Sequence, residues 1–177
     1  MMLNTTQIHK QHAFTMLELL ITIAVLGILL SVAIPSFSGM TERYRLKTMI
    51  ETVVEDLQFA RSKAVTDNTN IFVSVSTGST WCYGISSTAA CDCSTGTTCD
   101  LKKVGFGDFN GLSIDGTNTD VSNITYGPIG VSNFITGGGR IEFRTTNLTA
   151  RININAIGRL QTCSDDIPSL GSALVDC

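Results

Sequence analysis

From Phe14 to Ile34 every residue is apolar, small or a hydroxyl carrier except Glu18. A helix rises about 1.5 Å per residue, so a run of about 20 such residues matches the hydrocarbon thickness of a bilayer. The segment can therefore span a membrane. A charged residue at the centre of a spanning helix costs about 2.5 to 3.5 kcal/mol, and Glu18, near the end, suffers less. A carboxylate in such a place calls for a function and a partner.

Three kinds of N-terminus contain an apolar run of this sort. A secretory signal peptide would use Lys10 as its basic region and Ser31-Val32-Ala33 as its cleavage site, but it leaves Glu18 without a reason and its apolar region is usually shorter. A plain membrane anchor leaves Glu18 equally unexplained. The third is a short polar leader ending in a small residue, followed by Phe14-Thr15-Met16-Leu17-Glu18-Leu19 at the head of an apolar helix. This pattern resembles the class III signal of type IV pilins and type II secretion pseudopilins.

The resemblance implies a leader over residues 1–13, cut by a prepilin peptidase between Ala13 and Phe14, with methylation of the new Phe14 amine. Glu18, Gly27 and Pro35 then occupy the places where pilins carry Glu, Gly and Pro, while Ala13 departs from the usual Gly before the cut. In an assembled filament the Glu18 carboxylate would pair with the Phe14 amine of a neighbour, so that one charge pair in a low-dielectric bundle sets register. Pro35 lacks a backbone donor and is expected to kink or locally melt the helix, with Gly27 a second soft point.

Composition narrows the remaining choices. The chain has 177 residues, 43% hydrophobic and 15% charged, enough for one anchor and one domain with a modest core. Loss of residues 1–13 removes Lys10, leaving 11 basic against 15 acidic residues and changing the formal charge from -3 to -4. That is not the profile of a general nucleic-acid binder. Both histidines, His9 and His12, lie in the leader. A processed chain then has neither His-based catalysis nor His metal ligation. No other spacing suggests an enzyme, and no cofactor is expected.

Cys82, Cys91, Cys93, Cys99, Cys163 and Cys177 all follow the apolar segment. In an oxidising compartment six cysteines read as three disulfides, with fifteen pairings open. A metal knuckle from Cys82, Cys91, Cys93 and Cys99 is the alternative, although the spacing lacks the paired C-x-x-C of zinc ribbons. Cys163 and Cys177 are expected to pair, closing a loop worth roughly 3 kcal/mol in chain entropy.

Beyond Pro35, Met40, Tyr44, Met49, Ile50, Val53, Leu57, Ala60 and Ala64 recur at helical spacing. One helix of about 50 residues is expected, apolar all round over 14–34 and amphipathic over 35–66; an ordinary core helix after a loop at Pro35 to Gly39 is the alternative. Leu57 to Val65 resembles the L-x-x-A-R-S-x-A-V segment of the GspH/FimT (FimU-like) family of pseudopilins and minor pilins. Residues 67–177 then change to β grammar. Strands are expected at Ile71 to Thr77, Trp81 to Ile85, Leu101 to Phe109, Val121 to Tyr126, Arg140 to Thr145 and Thr149 to Ile157, the last with Ile152, Ile154 and Ala156 on one face. Gly158-Arg159 through Cys163 resembles the family's closing G-R-x-x-x-C strand.

The expected fold is thus α+β and type IV pilin-like, a long N-terminal helix packed on a C-terminal antiparallel β domain with disulfides. The resemblance implies a single-pass inner-membrane subunit with a periplasmic domain, working with other pilins, prepilin peptidase, the assembly machinery and the lipid bilayer. It is expected at or near a filament tip, helping to initiate assembly. Two rivals stay open: a type II secretion pseudopilin, and a DNA-binding minor pilin. For the second, Arg159 and Arg151 are the candidate cations, but Gln161 stands where FimT-like receptors carry a second Arg, and Asp165 and Asp166 follow.

Overall fold

The computed structural model describes residues 14–95, 98–131, 138–165 and 177, with side chains of 32–38 and 130–131 outside that description. One helix, α1, runs Met16–Asp67 and is unbroken through Pro35. The alternative of a loop at that point is set aside, and so is local melting. Its start follows from Thr15, whose hydroxyl accepts the Glu18 amide at 3.3 Å, while the Thr15 carbonyl accepts the Leu19 amide at 3.2 Å. Thr15 stands at the Ncap place and Glu18 at N3. Its end follows from Asn68 at φ 53°, with the Thr69 amide returning to the Ala64 carbonyl.

The chain divides into two units, Met1–Met40 and Thr41–Cys177. In the first, the large apolar side chains from Phe14 to Leu30 are exposed on the single chain. Among its described residues, Thr22 donates its hydroxyl to the Leu19 carbonyl and Ser31 to that of Ile28. Among the described residues no helix is long and apolar enough to cross a membrane. The described side chains of the apolar run stop at Ser31, short of the Ile34 where the sequence pattern ends.

In the second unit the helix buries Leu46, Met49, Ile50, Val53, Leu57, Ala60 and Ala64 as one stripe. Two antiparallel sheets receive it. The first has the order β3-β2-β1-β5-β6, from β1 Ile71–Ser76, β2 Cys82–Ser86, β3 Lys102–Gly105, β5 Asn123–Gly127 and β6 Gly130–Val131. The second has the order β4-β7-β8-β9, from β4 Ser113–Ile114, β7 Gly139–Arg144, β8 Thr149–Ile154 and β9 Leu160–Cys163. Val73, Val75, Ile114, Ile141 and Phe143 from both sheets meet Val53 and Leu57 around a void of about 10 Å³, at the lower limit for one water. Trp81, fully buried, donates its indole N–H to the Leu112 carbonyl at 2.6 Å and so pins the 106–112 loop to this core. Strand β8 ends at Ile154, which leaves Ala156 exposed rather than on the core face with Ile152 and Ile154.

Candidate functional site

The processing end lies partly outside the described residues, since the leader 1–13 and Ala13 are not among them. Phe14 and Thr15 precede the helix, and Glu18 is exposed in its first turn. Thr15 caps the helix through the Glu18 backbone N–H, and the Glu18 side chain is exposed. Gly27 sits mid-helix with open space where a side chain would be. Pro35 lies within the helix, its side chain outside the description.

Polar contacts lock the second half of α1 to the β domain at three levels. Glu42 accepts the backbone N–H of Asn147 and its side-chain amide, each at 3.1 Å. These bonds, with that of Thr145 foremost, hold the Glu42 carboxyl below the usual range. Buried Asp56 accepts the Tyr83 hydroxyl at 2.7 Å and pairs with Lys102 Nζ at 2.6 Å. Burial foremost, then Asp56, pushes the Tyr83 phenol far upward, so it remains a donor. Arg61 donates Nη1 to the Gly158 carbonyl at 3.3 Å. Gly158 at φ 77° turns the chain between β8 and β9, so Arg61 grips the one turn that returns the last strand. Nearby Tyr126 is buried with no hydrogen-bond partner among the described residues; burial pushes its phenol up to about 12, with Arg61 pulling the other way.

All six cysteines are paired. Cys82 joins Cys93, Cys91 joins Cys99, and Cys163 joins Cys177. The first four cysteines are thus bridged among themselves. The first two bridges lay the cysteine-rich loop over one face of β1 and β2, where Gly84, Ser74 and Asn123 align in register across three strands. The loop needs that floor of small side chains. Ser74 accepts the Cys91 amide at 3.0 Å and donates to Asn123 Oδ1 at 2.9 Å. Ser87 binds Asp100 through both its amide and its hydroxyl, and this hydroxyl is the main reason the Asp100 carboxyl titrates at about 2.

A match to the family model described as "Type II transport protein GspH" covers residues 50–158, and one described as "Prokaryotic N-terminal methylation motif" covers residues 8–34. The chain belongs to the GspH family. Its GspH domain begins within α1, so Arg61 and Gly158 stand near opposite ends of the match and meet in space. A crystal structure of the type IV minor pilin FimU of Pseudomonas aeruginosa has TM-score 0.51 at 22% identity, covering 69% of this chain and 90% of that one. A second crystal form of the same protein gives 0.49 at 18%, covering 66% and 90%. At this identity the first likeness shows the fold alone, a type IV pilin-like α+β domain.

The candidate DNA cations of this GspH domain have different surroundings. Arg151 binds buried Glu142 at 3.1 Å through Nε and pairs with Asp165 through Nη2. Arg144 is held at 2.8 Å by Asp115 and at 3.1 Å by the same Glu142. These two cations are neutralised where they stand. Arg159 is exposed, its backbone N–H fixed by Asn155 Oδ1 at 2.7 Å. Arg140 is exposed too, in register with Asn153 and Gln161, beside a polar cleft of about 320 Å³ that Asp120 and Asn155 also line. With Arg144 and Arg151 paired to carboxylates, Arg140 and Arg159 are left as the candidate cations among the described residues, and binding of residues 41–177 to duplex DNA is expected to be weaker than about 10⁻⁴ M near physiological salt, with a log–log salt slope no steeper than about -1.8. A shift assay giving low-micromolar binding that Arg159→Ala abolishes would contradict this.

Proposed function

We propose that the chain is a minor pilin, cut before Phe14 by a prepilin peptidase, methylated on the new amine, and held in the inner membrane by residues 14–34 with its domain in the periplasm. From there it enters a type IV pilus at or near the tip and helps to initiate assembly. It does so as a structural subunit with no catalytic turnover. The observation that carries this reading is a methylation motif over residues 8–34 heading the same unbroken helix whose later turns enter the GspH domain. The exposed apolar surface from Phe14 to Leu30 supports it, since an uncovered patch of that kind marks a membrane or an interface with other helices.

The family description favours one further reading, a subunit of a type II secretion pseudopilus. Both use the same processing and the same Glu18 chemistry. They differ in the company kept: co-purification with pilus subunits supports the first, and with secretion subunits the second. DNA binding is left out because Arg151 and Arg144 are already paired with carboxylates.

Mass spectrometry of the mature chain is expected to begin at an N-methylated Phe14; a chain beginning at Ile34 would return it to an ordinary signal peptide. Glu18→Ala removes the partner of the Phe14 amine while easing membrane insertion of the monomer. Membrane levels should hold, and incorporation into sheared filaments should fall more than about tenfold, as breaking a desolvated charge pair implies. Wild-type incorporation of Glu18→Ala would refute the charge-pair account.

A further inference from the structure

Four of the cysteines are joined in an order that the chain does not follow. A sequential scheme would join Cys82 to Cys91 and Cys93 to Cys99, whereas the bridges present cross, Cys82–Cys93 and Cys91–Cys99. Only Cys163–Cys177 joins neighbours in sequence order. The fold demands the crossing. The Cys91 amide is held by Ser74 of β1, whose register partner on β2 is Gly84, and the Cys91 and Cys99 sulfurs lie over the place where a Gly84 side chain would stand. Cys82 faces the same side of β2 two residues away, about 7 Å along the strand, while a bridge needs Cβ atoms within about 4.5 Å. A Cys91 fixed on Ser74 is therefore out of reach of Cys82, and Cys93 meets it instead.

We propose that the folding domain is a substrate of a periplasmic thiol–disulfide isomerase, which converts the sequential bridges Cys82–Cys91 and Cys93–Cys99 into the crossed pair. The inference rests on the placement of the domain in an oxidising compartment proposed above. A chain that enters from its helical end presents Cys82 and Cys91 first, and both sequential loops are shorter than the native separations of 11 and 8 residues, so they close first. Each bridge forms by passing two electrons and two protons to the disulfide of an oxidase, which becomes a dithiol. Exchange then needs no further oxidant. The isomerase thiolate attacks Cys91 Sγ and expels Cys82 as a thiolate; Cys82 attacks Cys93 Sγ and expels Cys99; Cys99 attacks Cys91 Sγ and returns the isomerase thiolate. Two S–S bonds of the chain are broken and two formed, with no net change in oxidation. Cys82, Cys91 and Cys93 are buried in the finished domain, so the crossed pairing is shielded from further attack once it is reached.

The test uses the full chain in cells with and without the isomerase. Thiols are alkylated at lysis, and the denatured, unreduced chain is cleaved on the N-terminal side of aspartate. Cuts before Asp92 and Asp100 part Cys82 and Cys91 from Cys93 and Cys99. Crossed bridges hold the two peptides together, whereas sequential bridges release them, each with its own internal loop. Loss of the isomerase is expected to reduce the joined peptides at least about fivefold, with the released pair rising to match, while Cys163–Cys177 stays within about twofold. Cys91→Ser with Cys99→Ser makes Cys82 and Cys93 consecutive, and their bridge should then form equally in both strains. The inference is overturned by joined peptides undiminished without the isomerase, by joined peptides that carry Cys82–Cys99 instead of Cys82–Cys93, by loss of Cys163–Cys177 in the same proportion, or by a double variant whose bridge still needs the isomerase. A chain with all its thiols free in cells that hold the isomerase counts instead against the compartment itself, and the inference falls with it.

Discussion

Asp56→Ala is expected to lower the unfolding free energy of residues 41–177 by about 3 kcal/mol. Asp56 sits beside the buried stripe of α1, its side chain only 9% exposed. Its two oxygens take the Tyr83 hydroxyl and the Lys102 ammonium separately. Removing the carboxylate leaves the Tyr83 hydroxyl buried without an acceptor, a cost of about 1 to 3 kcal/mol. A cavity in the helix–sheet interface adds to it. Lys102 is 41% exposed and can turn to water, so its share is at most about 1 kcal/mol. Asp56→Asn keeps an acceptor for Tyr83 and should cost only about 1 kcal/mol. Urea denaturation separates the two variants, and equal losses would contradict the assignment of the main cost to Tyr83.

Gly84→Ala is expected to be nearly as damaging through sterics alone. A Cβ at this position would stand 2.2 Å from Cys99 Sγ and 2.8 Å from Cys91 Sγ. Those sulfurs are joined to each other and cannot swing aside as free side-chain ends would. Either the second strand shifts, at the roughly 1 to 3 kcal/mol typical of overpacking, or the bridge fails to form, at about 2 to 3 kcal/mol for a loop of this size. Mass mapping of the variant should find free thiol at Cys91 and Cys99, or thermal unfolding should move down by several degrees. A variant with wild-type bridges and wild-type stability would mean the loop does not rest on Gly84.

The helix was legible because 52 residues of apolar and then amphipathic periodicity leave little else for the chain to do. Strands β1 and β8 were legible from alternation. Strands β4 and β6, of two residues each, carry no period to read. The division into two sheets depends on β5 returning to β1 across a long stretch of chain, which local pattern does not encode. Asp56 was missed because a lone acid at the margin of an apolar stripe reads as solvated; its partners come from β2 and β3. Arg151 was read as a free cation for the same reason, since Glu142 neutralises it across a strand pair and Asp165 from beyond the last strand. The closing Gly-Arg motif was visible, but not that Gly158 serves Arg61 of the helix.

The three polar locks between α1 and the β domain bear on mechanics. Glu42, Asp56 and Arg61 are spread over roughly 28 Å of helix and bind three separate parts of the domain, the β7–β8 turn, the β2–β3 pair and the β8–β9 turn. In the filament proposed above, tension along the helix axis would load these contacts in shear and side by side. None can be peeled ahead of the others. Sliding the helix by one turn would require all three to break together with the buried apolar stripe, which makes the domain stiff along the direction of pull while leaving it ordinary in every other.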